Sequence, residues 1–177
     1  MDLIKITLFK RLSVLLLFGP LLLVGCDEPE KWSGGDLRGV NHTANGINYF
    51  EVNYSRGPNI GAFGEGGGSC CISLPNKWRP GLQARVEWEI DPNPYEELPR
   101  IKNGFGFEKE AYARHAANYQ KHNMTIDIPD YGDEKCGLTV HFLPCNQIKA
   151  TASCWTYGAA KYPIKEPHKM EEPAVCP

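Results

Sequence analysis

Residues 82–90 read Leu82-Gln83-Ala84-Arg85-Val86-Glu87-Trp88-Glu89-Ile90. Apolar residues hold every second position, and charged or amide residues fill the gaps. That period of two puts one face of a strand in a core and the other in water. Pro80-Gly81 before the run and Asp91-Pro92 after it mark the strand ends. Weaker copies of the pattern lie to either side. Gly46 to Asn53 sets Phe50 and Val52 against Glu51. Met124 to Ile128 stops at Pro129. Leu138, Val140 and Phe142 alternate with Thr139 and His141 until Pro144, and Ala150 to Tyr157 is a last candidate.

One segment keeps a helical period instead. Glu108 to Lys121 carries Ala111, Tyr112, His115, Ala116 and Tyr119 on one face. Glu108 and Glu110 stand in its first turn and Lys121 in its last, which suits the helix dipole. The expectation is a mainly β domain, a two-sheet antiparallel sandwich with one helix around residues 108–121.

The N-terminus reads as an export signal. Lys5, Lys10 and Arg11 precede an apolar run from Leu12 to Val24, too short for a spanning helix of about 20 residues. Leu23-Val24-Gly25-Cys26 then fits a bacterial lipoprotein processing site. Residues 1–25 are expected to be removed, and Cys26 to carry the lipid, a palmitate-type acylation. More than one acyl chain gives stable attachment. Residues 26–35 read as a tether and 36–177 as one periplasmic domain. Asp27 directly after the cysteine resembles the signal that retains enteric lipoproteins in the inner membrane, so its periplasmic face is the expected location, with the outer membrane open.

Removing 25 of the 177 residues leaves 152, enough for one domain with a sizeable core. The whole chain carries −2. The signal takes three basic residues and one acid, so the rest carries −4, which argues against nucleic acid as a partner. Apart from Cys26, the cysteines are Cys70, Cys71, Cys136, Cys145, Cys154 and Cys176. An even number in an exported chain reads as a disulfide framework. Cys70 and Cys71 would point to opposite faces of an extended strand, so different partners are expected for them. His141 lies four residues before Cys145, but no Cys-x-x-Cys or His-x-x-x-His pair supports a metal, and no metal or cofactor is expected.

Signatures of common hydrolases and nucleotide sites are missing. Gly61 to Gly68 lacks the Lys-Ser/Thr of a phosphate loop. Its glycines read as turn formers with positive φ, with a partner-contact loop as the rival. His42, His122 and His168 sit in polar stretches and read as solvated. His141 reads as a polar-face residue and His115 as packed. Glu87, Glu89, Asp91, Glu96 and Glu97 cluster in sequence, and the simple reading is an exposed strand face with its acidic loop. Trp78, Trp88 and Trp155 read as core. The Asn-x-Ser/Thr sequons at Asn41, Asn53 and Asn123 carry no weight in a bacterial lipoprotein.

Several stretches together resemble a known family. They are Val40-Asn41-His42-Thr43, Gly66-Gly67-Gly68-Ser69-Cys70-Cys71, and Leu74-Pro75-Asn76-Lys77-Trp78-Arg79-Pro80-Gly81-Leu82. Val86-Glu87-Trp88 and Val140-His141-Phe142-Leu143-Pro144-Cys145 complete the set. Over Gly39 to Cys145 the chain resembles small bacterial lipoproteins long known only as a domain of unknown function. Members are found beside genes for type VI secretion effectors, notably phospholipases. The resemblance implies an immunity protein that neutralises such a toxin, with no catalytic residues. Aromatic and arginine anchors dominate interfaces. The expected contacts are therefore Arg56, Phe63 and Glu65, with Tyr95, Glu96, Glu97, Arg100 and Phe105 on the Asp91 to Phe107 loop. Two alternatives stand beside this reading. One is a module binding envelope glycan or a lysozyme, with Trp78 or Tyr95 exposed. The other is an enzyme whose site gathers histidines and carboxylates in a polar pocket.

Overall fold

The structure, a computed structural model, describes residues 29–177; the signal, the processing site and Cys26 lie outside the described residues. Eight strands and one helix follow in order. They are β1 (Trp32–Asn41), β2 (Gly46–Val52), β3 (Ser55–Arg56), β4 (Glu65–Pro75), β5 (Gln83–Asp91), α1 (Lys109–Ala116), β6 (Gln120–Asp127), β7 (Gly137–Leu143) and β8 (Gln147–Thr151). They form two open four-stranded sheets, ordered β4-β1-β7-β8 and β3-β2-β5-β6. No described helix is long and apolar enough to cross a membrane.

The alternation in residues 82–90 does what its period requires. Ala84, Val86, Trp88 and Ile90 are buried, while Gln83 and Arg85 face out. Leu37, Ile72, Leu74, Leu138, Val140, Phe142 and Ile148 from the first sheet join Ile47, Phe50, Val52, Val86 and Trp88 from the second in one core. Phe142 bridges the sheets, with its ring centroid 5.2 Å from that of Phe50 and 6.0 Å from that of Trp88. Edge-on contacts of this kind add to plain area burial.

Several expectations need correction. The first sheet is mixed: β1 runs parallel to β7 from Asp36↔Gly137 to Asn41↔Phe142, while β3-β2-β5-β6 is antiparallel throughout. The two backbones come very close where this pairing begins. A Cβ on Gly35 would stand 2.5 Å from Gly137 Cα, and Gly137 itself has φ +96°. Only glycine fits at both positions. β1 begins at Trp32, so the last residues assigned to the tether already pair with β4.

The helix is shorter than residues 108–121. It ends at Ala116, and Gln120 begins β6. From there His122, Met124 and Ile126 alternate as half-buried positions, so a period of two has replaced the helical one. Lys121 pairs opposite Glu89 in the sheet instead of closing the helix. The last strand is Gln147–Thr151, and residues 152–157 leave the sheet.

The second half of the glycine-rich stretch, from Glu65, is strand. Gly66 pairs with Gly39 in the β1–β4 ladder. Among the described residues, Phe63, with φ 51°, takes the left-handed conformation there, and none of the neighbouring glycines does. The glycines serve close approach: a Cβ on Gly66 would lie 2.6 Å from Pro58 Cγ.

Cys136 pairs with Cys154 and Cys145 with Cys176, at Cα separations of 4.9 and 5.4 Å. Both lie within the span a disulfide bridges. Cys70 and Cys71 pair with each other, which corrects the expectation of separate partners. The register explains how they escape the extended geometry. Asp36 pairs with Cys70 and Gly35 with Ile72, so Cys71 is the extra residue of a bulge.

Candidate functional site

Two groups of polar residues stand out, one internal and one at the surface. The internal group lies on the face of the first sheet that turns away from the shared core. His42 and His141 are both fully buried, contrary to their reading as solvated and polar-face residues. Residues 152–177 cover them. This segment has no regular secondary structure and crosses the sheet as a strap, with Tyr162 buried beneath it.

The strap is held by specific bonds. His42 Nδ1 lies 2.7 Å from the Pro167 carbonyl oxygen, and His42 Nε2 lies 2.8 Å from His141 Nδ1. His141 Nε2 is 2.6 Å from Tyr162 Oη. A carbonyl can only accept, which sets the direction of the whole chain. His42 donates to Pro167, His141 donates to His42, and Tyr162 donates to His141. Burial lowers the pKa of both imidazoles and pushes Tyr162 up to about 12, so all three stay neutral. The Met170 amide donates to the His42 carbonyl, and the Cys145 amide to Glu172. Lys149 pairs with Glu166. Cys145, Glu172 and Cys176 also lie close enough to share an ion, but the two sulfurs are bonded to each other. A thiol already in a disulfide is not a thiolate ligand.

Beside this network, Asn41 accepts from the Thr43 amide and hydroxyl and donates to the carbonyls of Asn45 and Gly61. The Val40-Asn41-His42-Thr43 stretch is thus a buried joint between β1, the loop after it and the strap.

The surface group is the segment between β5 and α1. At its base His115, 7% exposed, is held between two carboxylates. Its Nε2 is 3.0 Å from Asp91 Oδ2 and its Nδ1 is 2.7 Å from Glu96 Oε2. Both nitrogens therefore donate, and the bond to Glu96, with Asp91 in support, raises the pKa. The imidazolium ties α1 to both ends of the turn at 91–96. With no nitrogen free, the arrangement suits a clamp better than a general base.

Beyond the clamp the chain rises into a narrow finger. The Glu108 amide donates to Pro99 and the Ile101 amide to Gly106, at 2.8 and 3.3 Å. Arg100 and Phe107 form an antiparallel bridge, and the guanidinium carbon lies 5.2 Å from the ring centroid. Phe105 stands at the tip, 103% exposed, and Tyr95 at the foot is 78% exposed. Tyr95 borders an open depression of about 480 Å³ with Ala44, Pro92, Asn93 and Pro94.

The structure sorts the sequence-proposed contacts into three settings. Tyr95, Glu96, Glu97, Arg100 and Phe105 belong to this one segment, with Glu96 committed to His115. Phe63 and Glu65 lie by the strap, beneath Lys169 and 3.9 Å from His168. Arg56 lies on β3, over the Tyr49 ring at 4.7 Å and 3.5 Å from Glu51. Trp88 and Trp78 pack as expected, and Trp78 donates to the Ile128 carbonyl. Trp155 does not: it is 48% exposed, with Lys161 above its ring.

A family model described as a protein of unknown function, DUF3304, matches residues 40–150. The chain belongs to the DUF3304 family. The match includes every strand from β2 to β7, the clamp and the finger. It stops before the strap, so the DUF3304 span contains His42 and His141 but not the segment that buries them. No curated protein and no solved structure matches the chain.

The sequence places His42 in a polar stretch and His141 on a polar strand face, and both also stand in the stretches that carry the family resemblance. A histidine between Val140 and Phe142 on a strand buried on its core face was the available signal. What covered the other face lay in a tail without periodicity.

Proposed function

We propose that this chain is a periplasmic immunity lipoprotein. Its two sheets form a sandwich, anchored through Cys26 at the periplasmic face of the inner membrane. It binds and neutralises a type VI secretion effector with phospholipase activity. The observation that carries the reading is the finger at residues 99–108, which presents Phe105 to solvent from a hydrogen-bonded, clamped base. Large exposed aromatics on a rigid mount are what a binding surface needs, because little ordering remains to be done on association. The sequence resemblance to lipoproteins encoded beside such effectors supplies the class of partner. An anchor would concentrate the inhibitor at the surface a lipase attacks.

His42 and His141 are bonded to each other under the strap, and His115, Asp91 and Glu96 are engaged with one another in the clamp. Of the two aromatics expected for a glycan platform, Tyr95 is exposed and Trp78 is packed; Trp32, Tyr54 and Trp155 are exposed as well. The experiment is co-expression with the adjacent open reading frame, its product directed to the periplasm of a susceptible strain. Growth is restored if the reading is right; continued lysis with the immunity chain present at equal or higher level contradicts it.

A further inference from the structure

We infer that the finger is a plug: Phe105 enters an apolar acyl-chain pocket of the partner enzyme and takes the place of substrate. The inference rests on the immunity reading above and specifies how that site acts.

The finger is built to hold one side chain away from its own domain. Its tip reads Lys102-Asn103-Gly104-Phe105-Gly106. Gly106 has φ +110°, a conformation that L side chains rarely adopt. A Cβ on Gly104 would stand 2.9 Å from Ile101 Cδ1, so Ile101 fills the space behind the tip. The two glycines thus turn the chain tightly and leave Phe105 with no covering neighbour. Below the tip, the Arg100–Phe107 bridge and the Pro99–Glu108 hydrogen bond close the stem. His115 then fixes the foot through Asp91 and Glu96. A fully exposed phenyl ring on so closed a stem is an apolar group of a size that an acyl-chain pocket accommodates.

The charges around the finger select between a protein and a lipid surface. Lys102 lies at the tip and Arg100 on the stem, and Ile101 is 42% exposed, which would also suit a bilayer. Glu97, Glu108 and Glu110 are exposed on the segments that meet at the foot, while Glu96 is paired with His115. Seating the ring deep in an anionic membrane would press these acids against like charge. A pocket with a basic rim meets the acids and the ring together. The partner inferred is therefore an enzyme with an apolar, chain-accepting pocket and lysine or arginine at its mouth.

The test uses the full-length lipidated chain in nanodiscs of phosphatidylethanolamine and phosphatidylglycerol, with the protein encoded by the adjacent open reading frame. Phe105→Ala is expected to weaken the complex at least about thirtyfold, whereas Phe105→Leu stays within about threefold. Val175→Ser, at an exposed position on the strap, serves as the control and leaves affinity unchanged. Hexadecylphosphocholine, a single-chain amphiphile, is expected to compete with the wild type and not with Phe105→Ala. Equal affinity of wild type and Phe105→Ala overturns the plug while leaving the immunity reading intact. A loss of affinity that the amphiphile does not reproduce makes Phe105 a rim contact and overturns the acyl pocket. No binding by the wild type removes the partner and overturns both. A polarity-sensitive dye at Phe105→Cys that shifts to the blue in nanodiscs alone would assign the finger to lipid instead.

Discussion

His42 Nε2 and His141 Nδ1 lie 2.8 Å apart, joining positions separated by 99 residues. The bond links the end of β1 to the middle of β7 on the outer face of their sheet. Pro167 and Tyr162 extend it at either end into the strap. Its direction requires both imidazoles to be neutral, because each must accept on one nitrogen and donate on the other.

Acid should therefore loosen this face. In the unfolded chain both histidines take up protons below about pH 6.5. In the fold, burial lowers both pKa values; a charge on His42 further disfavours one on His141, while the Pro167 carbonyl partly offsets the effect at His42. Nearby His168 and Lys149 oppose protonation, and Glu166 and Glu65 favour it. The unfolded state binds more protons in this window, so stability is full above pH 6.5 and falls as pH drops below it. A loss on the order of 1–2 kcal/mol between pH 7 and pH 5 is expected from this pair, seen as a lower denaturation midpoint. His42→Gln/His141→Gln should be less stable at pH 7 but flatter over the same range. An unchanged slope in that variant would contradict the assignment.

The clamp has the opposite sign. The pKa of His115 is raised, chiefly by its bond to Glu96, so its stabilising charge is fully present below about pH 6.5. It is lost as pH rises through the folded-state value. His115→Gln is expected to remove stability at pH 6 and little at pH 9. Asp91→Asn should weaken the fold more than Glu96→Gln, because Asp91 is 10% exposed and Glu96 46%. Amide exchange across residues 92–107 reads the same loosening locally.

The two long-range disulfides should matter and the adjacent pair should not. Cys145–Cys176 closes a separation of 31 residues, and its removal as Cys145→Ala/Cys176→Ala is expected to destabilise by about 2–4 kcal/mol. Protease sites in residues 155–175 should then open before the sheets unfold. Cys70 and Cys71 enclose no loop, and Cys70→Ser/Cys71→Ser should shift stability by no more than about 0.5 kcal/mol. Urea denaturation distinguishes the two outcomes.

Core and finger should separate stability from binding. Trp88→Ala removes a ring that is 2% exposed and stacks on His122, and about 3–5 kcal/mol is expected to go with it. Phe105→Ala removes a ring that touches nothing and should stay within about 0.5 kcal/mol of wild type. A destabilised Phe105→Ala chain would mean that the finger packs on its own domain.

The fold was legible wherever one face of a strand meets water. Residues 82–90 alternate cleanly because β5 lies in a sheet whose far face is open, and the pattern places the core side chains correctly. β7 misled because both of its faces are covered, so His141 looks like a polar-face residue and is buried all the same. The strap that covers it has no period to read: its place is set by two disulfides and one imidazole chain. The parallel pairing of β1 with β7 was equally silent, since Gly35 and Gly137 mark it only when seen together. At the surface, the aromatic and arginine composition of residues 95–107 singled out the segment that carries the exposed Tyr95 and Phe105. What the sequence did not show was the clamp, because Glu96, read as a contact, is turned inward to His115 by a helix beginning a dozen residues later.

The proposed function is inhibition of a lipid-cleaving effector by direct binding. The most direct measurement is titration of the full-length chain against phospholipid hydrolysis by the protein of the adjacent open reading frame. Complete inhibition is expected at a one-to-one ratio, lost in Phe105→Ala at the same concentrations. Hydrolysis that continues undiminished at a molar excess of the wild-type chain would contradict it.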